Sequence, residues 1–405
     1  MSEPCQLPVI IAGAGIVGLA LAQALKKSGA PFCIYERDQN LHARFSGWGL
    51  SVNSEALRHC LPNSLFDRLD SIQVDPRQRP TSDIGTGFLN LETAQPWLTI
   101  PSSLRRRVDR GRLRELLATD IDVKWTKRVV SFKLTDSGVS VCFSDGTKVE
   151  GSVLVAADGS GSRVRRLLVG DRVGRLNPVP AHYLAVTVRL TEDTLNQLPH
   201  PVIFQGSHPA TGYYMFFSTL STPEVNGSRR TSNPYYEAQL DVSWLSEGPE
   251  DVVPRTNAAR LARIKHMAAK DTGFHITLRK VIDDIPDDTQ VSIVRLADWP
   301  TTSWDGFGGR VTLLGDAAHP MTMYRGEAAN QGFTDAKNLA QQLALWHGGS
   351  KTRQEALTAY ETEMAQRGRE AVLLSRQACL DAHNLHKLTP NSPLIGKRNS
   401  PTRPC

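Results

Sequence analysis

Runs of apolar residues alternate along this chain with glycine-rich turns and with stretches of helical spacing. Near the N-terminus, the apolar run Val9–Ala12 predicts a buried parallel strand, Ile16–Ser28 predicts a helix, and Cys33–Tyr35 predicts the next strand. Apolar runs joined by short turns then predict a β-meander over Val123–Ala157, whose last strand is apolar throughout. This order of elements is typical of an α/β fold with a parallel sheet at its centre.

Between residues 180 and 300 the pattern changes, because apolar and polar positions alternate as they do in strands with two different faces. The alternation predicts a mixed, largely antiparallel second sheet, which we expect to cover a ligand. Its predicted strands are His182–Leu190, Pro201–Gln205, Gly212–Thr219, Glu237–Leu245, Ile276–Ile282 and Val291–Arg295. A short helix is predicted at Arg260–Lys270.

The C-terminal part of the chain returns to the first pattern. Arg310–Gly315 predicts another buried strand, and a helix is predicted from just after Gly326 to about Trp346. Apolar residues at heptad-like spacing predict a final long helix over about Arg353–His383. From Leu388 onward the chain is rich in proline, serine and basic residues, which predicts a loose tail.

The turn between the first strand and the first helix reads Gly13-x-Gly15-x-x-Gly18. Gly13 permits a tight turn, Gly15 lets a pyrophosphate approach the backbone, and Gly18 lets the helix pack closely on the strand. The helix directs its N-terminal amides at the phosphates. Glu36 ends the second strand, where a carboxylate accepts hydrogen bonds from the ribose hydroxyls and repels a 2′-phosphate. The motif therefore predicts that FAD or NAD binds here, and not NADP.

Two further motifs follow predicted buried strands. Asp158-Gly159 comes directly after the last strand of the meander, and Asp316 comes directly after the strand at Arg310–Gly315. Ligands of α/β folds bind at the carboxyl edge of the parallel sheet, where both carboxylates are expected to lie.

Composition narrows the class of protein. Of the 405 residues, 40% are hydrophobic and 22% are charged, as in ordinary globular proteins. The net charge of +6 is scattered, and the arginine cluster at residues 105–114 accompanies no nucleic-acid-recognition fold, so nucleic-acid binding is not expected. The six cysteines form no C-x-x-C pair, and neither a disulfide framework nor a metal site is predicted. No apolar run approaches the ~20 residues of a membrane span, and no signal pattern opens the chain, so we expect a cytoplasmic protein.

Three motifs in this order carry a resemblance that covers nearly the whole chain. They are Gly13-x-Gly15-x-x-Gly18 with Glu36, Asp158-Gly159 with Ser162 and Val164-Arg165, and Gly315-Asp316-Ala317-Ala318-His319-Pro320. The chain resembles the single-component flavoprotein aromatic hydroxylases, the FAD-dependent monooxygenases related to p-hydroxybenzoate hydroxylase, and is similar to their fungal secondary-metabolism branch. The resemblance implies a Rossmann-like FAD-binding domain of the glutathione-reductase type with a β-meander, a substrate domain on the second sheet, and a long C-terminal helix.

On this basis we predict a discontinuous FAD-binding domain formed by residues 1–80, 105–178 and 300–345. Residues 81–104 and 179–299 are predicted to form the substrate-binding sheet domain. A C-terminal helical segment over 346–387 and the loose tail over 388–405 complete the chain, which we expect to be a monomer or a homodimer.

The resemblance also implies roles toward FAD for individual residues. The glycines of the first motif hold the pyrophosphate, Glu36 the adenosine ribose, and Asp316 a ribityl hydroxyl. The helix after Gly326 directs its N-terminus at the pyrimidine edge of the flavin, which is anionic when reduced. The residues expected to bind the cofactor are Gly13, Gly15, Ile16, Val17, Gly18, Glu36, Arg37, Arg44, Arg110, Asp158, Gly159, Asp316, Gly326, Ala328, Ala329 and Asn330.

The chain departs from the family pattern where flavin and substrate meet. Met323 stands in place of a frequent proline, Gly326-Glu327-Ala328 in place of glycine-x-glycine, and Tyr324 and Arg325 in place of smaller residues. Candidate residues on the substrate side are Arg189, Tyr213, Tyr324 and Arg325, together with Tyr183 and Tyr214. Packing within the sheet is the alternative for the tyrosines, and a surface ion pair is the alternative for Arg189. His319 is expected to form structural hydrogen bonds.

The resemblance implies that NAD(P)H, with NADPH favoured, reduces FAD and that O₂ then adds to give a C4a-hydroperoxide. This species would hydroxylate or epoxidise an electron-rich aromatic, indole, polyketide or terpenoid small molecule. A flavoprotein oxidase, dehydrogenase or redox-neutral cyclase on the same scaffold is an alternative, since a fold does not fix the chemistry. An NAD-dependent dehydrogenase without flavin would leave the second and third motifs unexplained, and a non-enzymatic flavin scaffold would bind FAD without turnover.

Overall fold

A five-stranded parallel sheet forms the centre of the first half of the fold. The computed structural model describes residues 7–43, 48–77, 86–100, 105–269 and 273–396. The strands of the sheet lie in the order Val311–Leu313, Val153–Ala156, Val9–Ala12, Phe32–Tyr35 and Val123–Lys124. Ala12 pairs with both Ala156 and Tyr35, and Ala156 pairs with Leu313. The segments that follow these strands therefore leave the sheet at one common edge, as the sequence predicts.

The first helix has the predicted bounds, Ile16–Ser28, and packs on this sheet. Every residue from Gly18 to Leu25 is buried, while Lys26 and Lys27 are exposed in the last turn. Gly29 ends the helix in the left-handed region at φ +73°, and its amide donates to the carbonyl oxygens of Leu25 and Lys26.

The described residues also form three smaller sheets, one of which pairs Asn177–Pro178 with Ala297–Asp298. The predicted meander pairs Lys148–Gly151, Val139–Phe143 and Val129–Leu134 in antiparallel fashion. A second pair joins Gly49–Val52 to Arg106–Asp109. The sequence predicts an amphipathic helix over Val108–Ala118 with Asp109 as its N-cap, and the structure confirms the cap, although Val108 lies in the strand. Asp109 still belongs to the strand, and its carboxylate caps the helix Arg110–Leu117 by accepting a hydrogen bond from the amide of Arg112 at 2.8 Å.

The second half of the fold is built on a seven-stranded sheet. Its strands lie in the order Ser292–Ile293, Ala181–Leu190, Tyr236–Leu245, Tyr214–Ser221, Ile203–Ser207, Thr86–Asn90 and Gln95–Ile100. All neighbours pair antiparallel except Ile203–Ser207 and Thr86–Asn90, which pair parallel. The prediction of a mixed, largely antiparallel second sheet is confirmed.

The predicted strand at Ile276–Ile282 is wrong, because Ile276–Asp283 forms a helix. Its buried residues Leu278, Val281 and Ile282 have the three- and four-residue spacing of one helical face. Alternation and helical spacing overlap in so short an apolar segment. Together with the helix Asn257–Met267, it covers one face of the seven-stranded sheet.

Two helices close the chain. Ala328–His347 packs against the first helix, and Arg353–Asp381 begins at Thr352, which forms a reciprocal capping box with Glu355. The remaining α-helices of the described ranges are Ser54–Cys60, Asn63–Phe66, Arg163–Val169, Glu192–Asn196 and Pro223–Asn226. Short 3₁₀ helices occur there at Asp67–Ile72, Ser228–Arg230, Gly315–Ala317, Met323–Arg325 and Leu385–Lys387. Within those ranges, no helix is long and apolar enough to cross a membrane.

The predicted loose tail is wrong for residues 388–396. Leu388, Leu394 and Ile395 are buried in a cluster that also contains Tyr324 and Cys379. Serine and proline do not prevent this packing, because the apolar residues between them reach the sheet and the last long helix. Residues 397–405 lie outside the described residues.

Candidate active site

The glycine turn packs directly against the second motif. Gly13 has φ +115°, and a Cβ atom added to it would lie 2.3 Å from the carbonyl oxygen of Ala157. A Cβ atom on Gly18 would lie 2.0 Å from the carbonyl oxygen of Gly13. At Gly15, by contrast, no described atom beyond the chain neighbours lies within 4 Å of the Cβ position. Two glycines therefore allow close packing, and the third leaves open space at the N-terminus of a helix, as a bound phosphate requires.

Glu36 lies at the same turn. Its Oε2 atom accepts a hydrogen bond from the amide of Ala14 at 2.7 Å, and its Oε1 atom accepts one from the amide of Asp38 at 3.1 Å. These two bonds fix the carboxylate beside the glycines and leave lone pairs for further donors. Arg37 is exposed, and Arg44 lies outside the described residues.

Asp158 begins the turn that leads into the helix Arg163–Val169. Its Oδ2 atom accepts a hydrogen bond from the amide of Arg163 at 2.8 Å, and Ser162 caps the same helix. The Oδ1 atom is buried and has no hydrogen-bond partner within the described ranges, and burial raises the pKa of this carboxyl. Gly159 has open space where a Cβ atom would be, so the second motif presents an unpaired acceptor beside an open backbone.

Arg165 joins the second motif to the third. The buried guanidinium donates from Nε to the carbonyl oxygen of Gly174 at 3.1 Å and from Nη1 to that of Ala317 at 2.9 Å. It also donates to the carbonyl oxygen of Ser160. Burial lowers the pKa of Arg165 to about 10, so the group stays charged at neutral pH. The sequence places Arg165 in a motif, but a spacing pattern does not reveal which carbonyls it bonds.

Asp316 is exposed, while its neighbours from Val311 to Gly315 and from Ala317 to Pro320 are buried. The surrounding protein raises the pKa of its carboxyl by desolvation, and the charges of His319 and Arg110 partly offset that shift. An accessible carboxylate that is also desolvated lies in a concave part of the surface. The structure thus brings Arg110 and Asp316, which are far apart in sequence, to one place.

The first and third motifs are also in contact through Val17. A Cβ atom on Gly332 would lie 2.4 Å from Cγ2 of Val17, and one on Gly315 would lie 3.1 Å from Cγ1. Ile16 is buried in the core of the parallel sheet. Both residues position the start of the first helix, and their predicted role toward the cofactor stays a prediction.

The helix that follows Gly326 begins at Ala328, as expected, beside the strand Gly49–Val52. Asn330 in its first turn accepts a hydrogen bond from the amide of Asn53 at 2.8 Å. Its Nδ2 atom donates to the carbonyl oxygen of Ser51 at 3.0 Å. The Asn330 side chain therefore holds that strand against the helix.

Tyr324 links the third motif to the seven-stranded sheet. The buried phenol shares a hydrogen bond with Oγ of Ser243 at 2.8 Å, and Nε2 of His383 lies 2.9 Å from that Ser243 oxygen. The Tyr324 ring lies 5.0 Å from the ring of Tyr214 and 6.0 Å from that of Tyr183. Three of the candidate tyrosines therefore meet between the sheet and the third motif.

The three other substrate-side candidates lie elsewhere. Arg325 is buried and donates to the carbonyl oxygen of Pro393, so it anchors the C-terminal segment. The side chain of Arg189 is 67% exposed and pairs with Glu237 at 3.6 Å. It lies six residues beyond Tyr183 on the same strand, a separation of about 20 Å. Arg189 therefore forms the surface ion pair that was its alternative.

The prediction that Tyr213 lies on the substrate side is wrong, for a geometric reason. It packs against the helix-covered face of the sheet, where the guanidinium of Arg263 lies 5.8 Å from its ring. Successive residues of an extended chain point to opposite faces, so Tyr214 faces Tyr324 instead.

His319 is part of a buried ion network, which agrees with its expected structural role. Its Nε2 atom lies 2.6 Å from Oδ2 of Asp335, and Arg367 donates to Oδ1 of the same carboxylate at 2.7 Å. The amide of Gly315 also donates to Asp335 at 2.9 Å, so the network holds the backbone of the third motif.

Sequence reasoning missed a row of polar residues on the strand Tyr236–Leu245. Gln239, Asp241 and Ser243 alternate with apolar residues, a pattern typical of a strand with one face in solvent, yet all three are buried. Their face is the one that meets Tyr324 through Ser243. Only the presence of a second layer over this face, which the alternation does not reveal, distinguishes a polar site from a solvated surface.

Comparisons with known proteins agree with this geometry. The family model described as the FAD binding domain matches residues 6–375. The FAD-dependent monooxygenase dbaB of Emericella nidulans is 46% identical over 349 residues, which cover 84% of this chain and 88% of that protein. The FAD-dependent monooxygenase cctM of Talaromyces islandicus is 33% identical over 392 residues, which cover 96% of this chain and 95% of that protein.

Solved structures show the same fold at low sequence identity. The 2,6-dihydroxypyridine-3-hydroxylase of Arthrobacter nicotinovorans matches with a TM-score of 0.76 and 19% identity, over 99% of this chain and 100% of that chain. The HpxO protein of Klebsiella pneumoniae, solved with FAD and uric acid, matches with a TM-score of 0.71 and 21% identity, over 93% of this chain and 89% of that chain. With the fold, the three adjoining motifs and the similarity to the two fungal proteins in agreement, the chain belongs to the FAD-binding family of FAD-dependent monooxygenases.

Proposed function

We propose that this monooxygenase uses NAD(P)H and O₂ to hydroxylate or epoxidise an electron-rich small molecule in fungal secondary metabolism. The observation that carries the proposal is the convergence of three motifs at one edge of the parallel sheet. Gly15 leaves open space there, and Asp316 presents an accessible carboxylate between buried neighbours.

The residues at this edge fit FAD. The open space at Gly15 and the helix that starts beside it suit a pyrophosphate, and the fixed carboxylate of Glu36 suits ribose hydroxyls. Asp316 suits a polyol hydroxyl, with Arg110 nearby to balance charge. Bound FAD supplies the transfer of reducing equivalents from NAD(P)H and the activation of O₂.

The chain's own part in this chemistry is to bind the substrate, orient it and exclude water. We place the substrate between the polar face of the seven-stranded sheet and the third motif, because Tyr183, Tyr214 and Tyr324 meet there. This assignment follows the predicted division into a FAD-binding domain and a substrate-binding sheet domain. Ser243 holds the Tyr324 hydroxyl in that layer, and His383 in turn forms a hydrogen bond with Oγ of Ser243.

The visible spectrum of the purified protein tests the cofactor and the reductant. We expect a yellow protein that releases FAD on denaturation, bleaches with NADPH under anaerobic conditions and regains its colour in air. A colourless protein that does not bind added FAD would contradict the proposal.

Oxygen labelling separates a monooxygenase from an oxidase or a cyclase on the same scaffold. With ¹⁸O₂, a monooxygenase leaves one labelled oxygen atom in the organic product and the other in water. An oxidase places the label in hydrogen peroxide, and a redox-neutral cyclase consumes neither O₂ nor NADPH. Substrate-dependent NADPH consumption without label in the product would therefore contradict the proposed reaction.

A further inference from the structure

A polar loop joins the strands Tyr214–Ser221 and Tyr236–Leu245 of the seven-stranded sheet, and its base is closed by Ser228 and Tyr235. The buried hydroxyl of Ser228 donates to the carbonyl oxygen of Tyr235 at 3.2 Å and accepts from the amide of Tyr235 at 3.0 Å. All six residues between them, 229–234, are exposed. The protein therefore presents the segment Arg-Arg-Thr-Ser-Asn-Pro to solvent on a fixed base.

This segment carries two hydroxyl groups, and they differ in their contacts. Oγ1 of Thr231 donates to the carbonyl oxygen of Ser228 at 2.8 Å, next to the 3₁₀ turn Ser228–Arg230. The amide of Thr231 donates to the same carbonyl oxygen at 2.9 Å. The hydroxyl of Ser232 is exposed and has no hydrogen-bond partner among the described residues. Ser232 therefore offers a free hydroxyl, and an extended conformation of residues 229–232 breaks the two bonds of Thr231.

Two positive charges precede Ser232. Arg229 and Arg230 stand three and two positions before the serine, and both are exposed. Arg229 pairs with Glu224 at 3.7 Å, but the Arg229 side chain is 61% exposed, and ion pairs of this kind contribute little to stability. Residues 229–234 include no carboxylate of their own. Both guanidinium groups are therefore accessible to an acidic partner at small cost.

An exposed serine that follows two arginines fits the substrate site of one class of enzyme. Protein kinases select their substrates by the pattern of charges around the acceptor hydroxyl. A kinase with carboxylates in its substrate pocket recognises arginines that precede the acceptor, because guanidinium groups pair with carboxylates. The transfer itself requires a hydroxyl that can approach the γ-phosphorus of ATP in line with the leaving oxygen.

We propose that Ser232 is a phosphorylation site for an ATP-dependent serine kinase that recognises Arg229 and Arg230 through carboxylates. The Ser232 oxygen forms a bond to the γ-phosphorus of ATP, and the bond from that phosphorus to the oxygen bridging it to the β-phosphorus breaks. ADP leaves, and the hydroxyl proton passes to a carboxylate of the kinase. The proposal goes beyond the proposed function and does not depend on it.

The loop adjoins a contact between the two halves of the fold. Nη2 of Arg112, in the helix that follows Asp109, donates to the carbonyl oxygen of Val225 at 3.0 Å. Val225 lies in the short helix just before the loop, beside Glu224. A phosphoserine carries about −1.5 to −2 charge at pH 7, so the modification adds negative charge close to this contact.

The test uses the full-length FAD-loaded protein with ATP, Mg²⁺ and the catalytic subunit of cAMP-dependent protein kinase, whose substrate pocket is acidic. We expect one phosphoryl group on Ser232, counted by intact mass spectrometry and located by peptide fragmentation. Ser232→Ala should lose this group. Arg229→Gln and Arg230→Gln should each lower kcat/KM for phosphorylation of Ser232 at least tenfold. Casein kinase II, whose substrate pocket is basic, should leave Ser232 unmodified.

Arg172→Gln is the matched control, because it removes an exposed arginine from a different turn. Its Ser232 should be phosphorylated at the rate of the wild type. Thr231→Val removes the other hydroxyl of the segment and its bond to Ser228, and it should be phosphorylated at least as fast as the wild type. Ser400 also follows two basic residues, so Ser400→Ala keeps the count for Ser232 separate.

Four results would overturn the inference: no phosphate on Ser232 of the folded protein, phosphate there only after heat unfolding, equal rates for Arg229→Gln and Arg172→Gln, or equal phosphorylation by the two kinases. The absorbance of bound FAD, measured in the same sample, shows that the protein is folded during the reaction. Monooxygenase activity does not enter this test. Its failure therefore leaves the proposed function unchanged, and failure of the proposed function leaves this site unchanged.

Discussion

Nη1 of Arg165 in the second motif donates a hydrogen bond to the carbonyl oxygen of Ala317 in the third motif at 2.9 Å. The two residues are 152 positions apart, and this bond connects the two short helices that follow neighbouring strands of the parallel sheet. The guanidinium also lies over the ring of Trp299, at 5.1 Å. The edge of the parallel sheet where the motifs meet is therefore held together by one guanidinium that binds backbone carbonyl groups.

Replacement of Arg165 by methionine should destabilise this edge. The substitution leaves the carbonyl oxygens of Gly174 and Ala317 buried and unpaired, and each lost hydrogen bond to a charged group contributes about 1.5–3 kcal/mol. We expect the free energy of unfolding to fall by about 3 kcal/mol and FAD to bind more weakly. Urea unfolding and FAD content measure the two effects. Arg166→Met, in the same helix, should change neither by a comparable amount, and equal losses in both variants would contradict the role of Arg165.

Gly15 and Gly18 should respond differently to alanine. The Cβ position of Gly15 is open and its φ of −73° suits any residue, so Gly15→Ala should change the free energy of unfolding by less than about 1 kcal/mol. FAD affinity should nevertheless fall at least tenfold, because the methyl group fills the space expected for the pyrophosphate. Gly18→Ala places Cβ 2.0 Å from a backbone oxygen and should lower stability by about 3 kcal/mol. FAD binding that is unchanged in a folded Gly15→Ala variant would contradict the assigned phosphate site.

Asp316→Ala tests whether the Asp316 carboxylate contacts the cofactor or only stabilises the fold. The residue is exposed, and exposed substitutions usually change stability by no more than about 0.5 kcal/mol. We expect unchanged thermal unfolding of the FAD-free protein, together with weaker FAD binding or slower reduction by NADPH. Flavin fluorescence titration and anaerobic stopped-flow absorbance measure these two quantities. If FAD affinity and the rate of reduction by NADPH both equal those of the wild type, Asp316 does not contact the cofactor.

The sequence predicts the backbone geometry of the glycine turn and of its helix well because their signals are local. A glycine turn after an apolar strand requires one backbone geometry, and the predicted helix Ile16–Ser28 has its observed bounds for that reason. The substrate side depends on which layer covers which face, and this is not local information. Alternation therefore does not separate Tyr213 from Tyr214, and it makes Asp241 look solvent-exposed. Ile276–Asp283 shows the same limit, since a short apolar segment satisfies both periodicities.

Because of the ion network of Asp335, we expect the wild type and Asp335→Asn to differ in free energy of unfolding by an amount that changes with pH in the acid range. Burial alone would raise the pKa of Asp335, but the charges of His319 and Arg367 and their hydrogen bonds lower it from 3.8 to about 2. A lowered pKa stabilises the fold above pH 3.8, and this contribution is lost as the pH falls toward 2. Asp335→Asn leaves the Arg367 guanidinium and the His319 imidazole without their carboxylate partner and should cost about 3–5 kcal/mol at pH 7.

Urea unfolding of the wild type and Asp335→Asn across pH 2 to 7 measures this difference. The gap between the two proteins should narrow by about 2 kcal/mol between pH 4 and pH 2. Glu363→Gln is the control, because Glu363 pairs with Arg367 at the surface and is half-exposed. A gap that stays constant with pH would contradict the lowered pKa.

For Asp241 we expect the opposite pH dependence of the free energy of unfolding. Burial raises its pKa from 3.8 to about 7, and the hydrogen bonds from Tyr183 and Gln239 and the charge of Arg107 limit the shift. A raised carboxyl pKa means that the folded state binds the proton more tightly than the unfolded state. The ligand-free wild type should therefore lose stability as the pH rises from 4 to 7, by up to about 4 kcal/mol. Asp241→Asn cannot ionise, so it should lack this loss and be the more stable protein at pH 8. Parallel pH curves for the two proteins would show that Asp241 ionises normally and that its carboxylate is already paired in the absence of a ligand.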